Sequence, residues 1–298
     1  MGRKVCHGYS AIEGSTMKIL LTGATGFIGK HFVVQALRQG HEITVITRDK
    51  SIVLENDWGN QVAIIEADIE RSEITWPDSI AKHDALVHLA WSGLSNYQDS
   101  VHLERVLPAH KRFLLTMIET GIKHILITGT CLEYGKQEGQ LEESMPIFPD
   151  NPPYAQAKNQ LRQWLESMQK QFSFSLQWCR LFYMYGSGQN PKSLLSQLER
   201  AIENGEPVFN MSGGQQLRDY LPVETVAQYL LKVLEQKDCN GIVNICSGEP
   251  ITVLTLVKQF INARQSEIEL NLGYYPYPDY EAMAFWGDPD KLKQCTRS

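Results

Sequence analysis

The sequence predicts an α/β fold: a parallel sheet doubly wound by helices, with a smaller α+β part toward the carboxyl end. Three observations predict it. Short, β-branched apolar runs recur over residues 17–180. The connections between them are long enough for crossover helices, as a sheet buried on both faces requires. The first run ends in a glycine-rich turn that opens a helical period.

Lys18-Ile19-Leu20-Leu21-Thr22 is the first strand. Phe27 to Gln39 follows with helical spacing, Ile28, Phe32, Ala36 and Leu37 on one side, and Gly40 stops it. Ile43–Ile46, Val62–Ile65, Ala85–Leu89 and His124–Ile127 are the next four strands. A long helix near 99–120 separates the last two. Another spans 154–171, and Phe174–Trp178 is a sixth strand. After Arg180 glycines, prolines and short elements replace the regular repeat: helices near 191–203, 223–235 and 253–262, and a strand at Ile242–Ile245. The Tyr- and Pro-dense stretch 271–285 predicts an ordered loop against a ligand or core. This divides the chain into a dinucleotide-binding domain over 17–180, with 222–247 returning to it, and a substrate-binding part over 181–221 and 248–298. Residues 1–16 read as an unstructured leader before Met17.

Composition narrows the function. The chain has 298 residues, 43% hydrophobic and 21% charged, enough for a sizeable core. The formal charge is -6 with Lys and Arg scattered singly, which gives no nucleic-acid footprint. No apolar run approaches a membrane span, and the basic Arg3 and Lys4 precede no apolar signal core. Met1-Gly2 lacks the Ser or Thr of a myristoylation signal, Cys6 standing in its place. The six cysteines contain no C-x-x-C and read as reduced thiols of a cytoplasmic protein. His83 and His88 fit no ligand helix, so no metal is expected.

Gly23-Ala24-Thr25-Gly26-Phe27-Ile28-Gly29 lies between first strand and first helix. The first glycine allows the tight turn, the second admits a pyrophosphate to the backbone, and the third lets helix pack close to strand. Free N–H groups at the helix start would hold the pyrophosphate. Strand, turn and helix in register make this a Rossmann-like dinucleotide site. An NAD site places Asp or Glu at the end of the second strand. Here Thr47 and Arg48 stand there, and a guanidinium suits a 2′-phosphate, so NADP(H) is expected over NAD(H), although Asp49 is adjacent. Asp68 and Ile69 are expected at the adenine, and Leu89 and Ala90 along the cofactor cleft.

Tyr154 and Lys158 sit four apart at a helix start and share a face. A nearby ammonium favours a phenolate, so the tyrosine pKa is expected to fall toward neutrality, fitting proton exchange with a carbonyl or alcohol. Lys158 is also placed to hold the nicotinamide ribose. Thr130 follows the fifth strand at the edge where open α/β sheets bind ligands, and its hydroxyl is expected to polarise the substrate oxygen.

With these residues the chain resembles the extended short-chain dehydrogenase/reductases, the nucleotide-sugar epimerase/dehydratase superfamily. Thr22–Gly29, Asp68, His88-Leu89-Ala90, Thr130 four residues before Tyr134-Gly135, and Tyr154-x-x-x-Lys158 carry the resemblance. Arg180-Leu181-Phe182 through Tyr185-Gly186 and Arg218-Asp219-Tyr220 extend it. It implies a twisted parallel sheet, a small C-terminal substrate domain, a homodimer joined by the helices near 99–120 and 154–171, and catalytic roles for Thr130, Tyr154 and Lys158.

The family's dehydratases carry Asp-Glu directly after the threonine. Cys131 and Leu132 stand there, which argues against dehydration; Glu133 lies one place further on. The stretch from His88 to Tyr97, with Tyr277-Pro278-Asp279-Tyr280 and Phe285-Trp286-Gly287-Asp288, resembles the reductases of nucleotide-linked 4-keto-6-deoxyhexoses, such as those making dTDP-fucose or CDP-abequose. That resemblance implies a hexose pocket shaped by Trp91, Asn96 and Tyr183, and a diphosphate held by Arg218, with Lys192 a weaker cation nearby. It implies NADPH-dependent reduction of a C4 ketone on a dTDP-, CDP- or GDP-linked sugar. An NAD-dependent epimerase, a broader carbonyl or hydroxyl oxidoreductase, and a non-catalytic NADP sensor remain as alternatives.

Overall fold

The computed structural model describes residues 16–147, 152–277 and 282–297. The leader, apart from residue 16, and the Pro278–Tyr280 part of the Tyr-Pro motif lie outside the described residues. The elements run β1 (Lys18–Thr22), α1 (Phe27–Arg38), β2 (Glu42–Thr47), α2 (Lys50–Leu54), β3 (Ala63–Glu66), β4 (Ala85–His88), α3 (Leu107–Glu119), β5 (His124–Thr130), β6 (Gly139–Leu141), α4 (Pro153–Met168) and β7 (Ser175–Leu181). The second half adds β8 (Tyr183–Tyr185), α5 (Leu194–Glu203), β9 (Val208–Asn210), β10 (Leu217–Arg218), β11 (Tyr220–Pro222), α6 (Val223–Glu235), β12 (Gly241–Ile245), β13 (Ile251–Thr252), α7 (Val253–Ala263), β14 (Glu269–Asn271), β15 (Phe285–Gly287) and α8 (Asp290–Thr296).

Seven strands form one sheet in the order β3-β2-β1-β4-β5-β7-β12, every neighbouring pair parallel. The doubly wound α/β fold expected from the apolar runs is thus the fold observed. Side-chain alternation splits each strand between two cores. Ile19 and Leu21 join Val45, Phe32, Val33 and Ala36 of α1 and Val226 and Leu230 of α6. Leu20 joins Leu86, Ile125 and Ile127 with Phe113 and Leu114 of α3 and Leu161 and Leu165 of α4. Burying each such Leu or Ile contributes about 1.5–3 kcal/mol. The carboxyl-terminal part has its own cluster, in which Leu195 and Leu198 of α5 meet Val253, Leu256 and Val257 of α7. β15 pairs with β6 and so ties the chain's last segment to the loop after β5.

Three expectations change. The helix near 99–120 is two segments, a wide π turn over His102–Val106 and then α3. Pro108 lacks the N–H that a regular turn would donate to the carbonyl four residues back. Both β5 and β7 run three residues past their expected ends, where Thr128-Gly129-Thr130 pairs with Cys179-Arg180-Leu181. This extension carries Thr130 to the carboxyl edge of the sheet. The third change concerns the thiols: Cys239 and Cys295 form a disulfide, their Cα atoms 5.5 Å apart, where reduced cysteines were expected. They meet because α8 packs on α6 and beside β12, a proximity that chain spacing does not encode. Cys131, Cys179 and Cys246 are free and buried. Among the described residues no helix is long and apolar enough to cross a membrane, and no group of three or more His, Cys, Asp or Glu is arranged for a metal.

Candidate active site

Chain connections depart in opposite senses on the two sides of the β1–β4 pair, so a crevice opens beyond their carboxyl ends. The cleft there encloses about 1090 Å³. It runs from the glycine turn at one end to Tyr183 and Phe285 at the other.

The turn fits a dinucleotide. Gly26 N–H donates to Gly23 O at 3.1 Å, closing it. Gly23 has φ +78°, and a Cβ there would lie 2.7 Å from Ala90 N. A Cβ on Gly29 would strike Gly23 O and lie 2.7 Å from Ala24 Cα, so α1 crosses β1 at a distance only glycine permits. Gly26 precedes α1 without any side-chain cap, which leaves the first N–H groups of the helix for an anion. Thr25, Phe27 and Ile28 line the same wall.

Thr47, Arg48, Asp68, Ile69, Leu89 and Ala90 all line the cleft. Arg48 is exposed. Its neighbour Asp49 makes its hydrogen bonds elsewhere: that carboxylate caps α2, accepting Ser51 N–H at 2.8 Å and Ser51 Oγ–H at 2.6 Å. Asp68 accepts Glu70 N–H at 3.1 Å, which fixes its loop. Thr22 Oγ1 accepts Ala90 N–H at 3.3 Å and lies 2.8 Å from His88 Nδ1.

Thr130 and Tyr154 line the middle of the cleft, whereas Lys158 lies buried behind it. Thr130 Oγ1 accepts Leu132 N–H at 3.2 Å, so its own proton remains available for donation. Tyr154 N–H donates to Tyr97 O at 3.1 Å, and the two rings stack 4.9 Å apart. Lys158 Nζ donates to Thr128 O at 2.8 Å and sits over the Trp91 ring, 4.1 Å from its centroid. The expected depression of the tyrosine pKa is not what this arrangement produces. Burial, then the neighbouring Tyr97, Glu133 and Cys131, push the Tyr154 phenol well above its ordinary value. Burial takes Lys158 down to about 7, against a smaller opposing pull from Glu133. The phenol therefore keeps its proton at neutral pH.

Of the expected substrate residues, Trp91, Asn96 and Tyr183 line the cleft, as does Lys192. Trp91 spends its indole N–H on His102 Nδ1 at 3.1 Å. Arg218 does not reach the cleft wall as expected for a diphosphate ligand. It is 2% exposed, and its guanidinium donates to the carbonyls of Ala282 at 2.8 Å and Met283 at 3.2 Å. The loop before β15 has folded over it, a contact between residues more than sixty apart that the local motif did not announce.

Two further groups escaped sequence reasoning. His110 on α3 lines the cleft, and its Nδ1 lies 2.8 Å from His88 Nε2. Burial and Lys158 lower its pKa to about 3, and burial, His110 and Lys158 lower that of His88, so both rings are neutral. The only sequence signal was a histidine on the apolar face of a helix. Glu133 is fully buried and bonded to Thr130, Trp178 and Arg180. Its signal was an acidic residue three places after the strand-end threonine, the spacing of a capping box.

The model of the family described as "NAD dependent epimerase/dehydratase family" matches residues 19–246, most of the chain. The chain belongs to this family. This epimerase/dehydratase-family enzyme is 30% identical over 273 residues to dTDP-6-deoxy-L-talose 4-dehydrogenase (NAD(+)) of Aggregatibacter actinomycetemcomitans, covering 91% of the chain and 99% of the relative. It is 25% identical over 283 residues to GDP-6-deoxy-D-talose 4-dehydrogenase of the same organism, covering 93% and 90%. The solved UDP-N-acetylglucosamine 4-epimerase from Methanobrevibacter ruminantium M1, in complex with UDP-N-acetylmuramic acid, shares its fold with a TM-score of 0.79 at 22% identity, over 95% of this chain and 93% of that one.

Proposed function

We propose that this family member interconverts a ketone and an alcohol at C4 of a nucleotide-linked 6-deoxyhexose, working as a reductase with NADPH. The observation that carries this reading is that Thr130 and a protonated Tyr154 line the same cleft as the glycine turn. The two relatives named as 4-dehydrogenases of nucleotide-linked 6-deoxytaloses support the substrate class. Gly23–Gly29, Asp68, Ile69, Leu89 and Ala90 would hold a nicotinamide dinucleotide, which would supply the hydride. Thr130 donates its hydroxyl proton as a hydrogen bond to the ketone oxygen, where negative charge develops. Tyr154, protonated at neutral pH, delivers a proton to that oxygen. Lys158 sits one layer back, where it helps to keep His88 and His110 neutral. The reverse oxidation starts from the phenolate that reduction leaves, and burial disfavours that form in both directions.

Arg48 supports NADPH, since it is exposed at the adenine-ribose end and Asp49 is engaged elsewhere. The NAD(+) in the first relative's name favours the other cofactor. Steady-state kinetics decide between them. We expect kcat/KM for NADPH to exceed that for NADH by roughly 10- to 100-fold, the worth of a charge-assisted hydrogen bond, and Arg48→Ala to erase the preference. A wild-type preference for NADH ends the assignment of Arg48. The substrate is tested with a panel of dTDP-, CDP- and GDP-4-keto-6-deoxyhexoses, following loss of reduced-cofactor absorbance and identifying the product. Conversion of a sugar without added reductant would instead mark an epimerase. The homodimer implied by the resemblance would use the outer faces of α3 and α4, where Leu115 and Trp164 are half-buried.

A further inference from the structure

Thr130 ends β5 at the point where the chain must turn away from the sheet, and a threonine there is free to rotate unless something fixes it. Glu133 fixes the backbone at that point, and the Leu132 N–H, which Thr130 Oγ1 accepts, holds the side chain. Glu133 Oε1 accepts Thr130 N–H at 2.9 Å, while the Thr130 side chain takes up donors of the following turn, a reciprocal capping box. The same carboxylate accepts Trp178 Nε1–H at 3.0 Å and Arg180 Nε–H at 2.8 Å from β7. Arg180 in turn lies over the Tyr134 ring, 4.4 Å from its centroid. Glu133 and Arg180 side chains are 0% and 1% exposed. Even the backbone beside it is shaped to admit it, for a Cβ on Gly129 would stand 2.5 Å from Glu133 Oε1.

Burying an ion pair is a poor route to stability, since well-packed apolar residues do as well or better. A carboxylate met by several directed donors is a good route to geometry. We infer that Glu133 is a positioning residue, locking the β5 turn to β7 so that the Thr130 hydroxyl faces the reacting oxygen. The inference rests on the reductase reading for its consequence, though not for its geometry. Its charge also reaches the proton-transfer pair. The charged and titratable groups around it are Arg180 on β7, Cys131 and Tyr134 in its own turn, and Tyr154 and Lys158 on α4; it raises the pKa of both α4 groups.

The test compares wild type, Glu133→Gln, Thr130→Ala and the double variant, on whichever sugar of the panel the wild type reduces. Glutamine has the same shape, but its amide nitrogen cannot accept, so one of the donors now held by the carboxylate loses its partner. We expect Thr130→Ala to lower kcat about 100-fold, as loss of one oxyanion donor does. Glu133→Gln should lower kcat roughly 10- to 100-fold with KM changed less than about threefold, the signature of an interaction made in the transition state. In the Thr130→Ala background the same change should cost less than about threefold, because the group being positioned is gone. The pH profile of kcat/KM should move to lower pH in Glu133→Gln, since removing a negative charge disfavours the Lys158 ammonium and relieves the Tyr154 phenolate. Losses that simply multiply, with an unmoved pH profile, overturn the inference. The Thr130 methyl and Trp178 indole N–H resonances provide a readout that needs no turnover. Both should shift in Glu133→Gln, and an unchanged Thr130 methyl overturns the positioning role. A wild type inactive on the whole panel overturns the reductase reading instead, and the resonances then judge Glu133 alone.

Discussion

Tyr154→Phe is expected to lower turnover by about three orders of magnitude, the middle of the range for loss of a positioned proton donor. The ring stays, so the stack on Tyr97 at 4.9 Å and the Tyr154 N–H bond to Tyr97 O survive. The glycine turn that would contact a dinucleotide is on other elements. The dinucleotide's dissociation constant, read by fluorescence quenching, should therefore stay within about threefold, the scale of a minor contact. Only the hydroxyl is removed, and a phenol held protonated at neutral pH is the group whose loss reduction should feel. Near-normal kcat in this variant would remove Tyr154 from the chemistry and leave the cleft as a binding site alone.

Gly29→Ala should be the most damaging substitution at the cofactor end. The new methyl would meet Gly23 O and Ala24 Cα, both backbone and both part of the turn itself. Neither can swing aside as a side chain does. Relief requires α1 to lift from β1, and Phe32, Val33 and Ala36 then lose part of their contact with Ile19 and Leu21. We expect a loss of about 3–4 kcal/mol, in the range of severe core overpacking, and a Tm lowered by roughly 6–16 °C. Dinucleotide affinity should fall by more than about 100-fold, because the N–H groups that meet the pyrophosphate move with the helix. Gly26→Ala makes the contrast. Its methyl would lie 3.2 Å from Gly23 O, a tight but tolerable approach. The protein should keep most of its Tm while losing cofactor, since the methyl stands where the backbone is otherwise bare. Equal losses of Tm in the two variants would refute this division of labour between the glycines.

Much of this was legible in the sequence because it rests on local periodicity. Lys18–Thr22 and Ile43–Ile46 advertise buried strands through unbroken apolar runs, and the glycine spacing places a phosphate-binding turn between strand and helix. Tyr154 and Lys158 were visible because a helix brings residues four apart together. What escaped was set by contacts between distant segments. Thr128-Gly129-Thr130 looks like a loop, since its polarity answers to the cleft and to Glu133 rather than to a core. The direction of the Tyr154 shift was misjudged because sequence gives the neighbour at 158 but not the depth of burial, which here outweighs it. Arg218 was expected at a diphosphate, yet its guanidinium is taken up by the carbonyls of residues 282 and 283. The Cys239–Cys295 bond depends on how α8 docks, which no spacing rule reaches.

The seventh strand of the sheet has a consequence for how the protein is made. β12 lies against β7, yet some sixty residues of the carboxyl-terminal part intervene between them. During synthesis the nascent chain completes six strands and then presents β7 as an open edge until Ile245 has cleared the ribosome. α6, which covers the apolar side of α1, emerges in the same late segment. The amino-terminal two thirds thus wait, half covered, for a long-range pairing that ends their exposure, and this interval is when the newborn chain is most open to chaperones and to self-association.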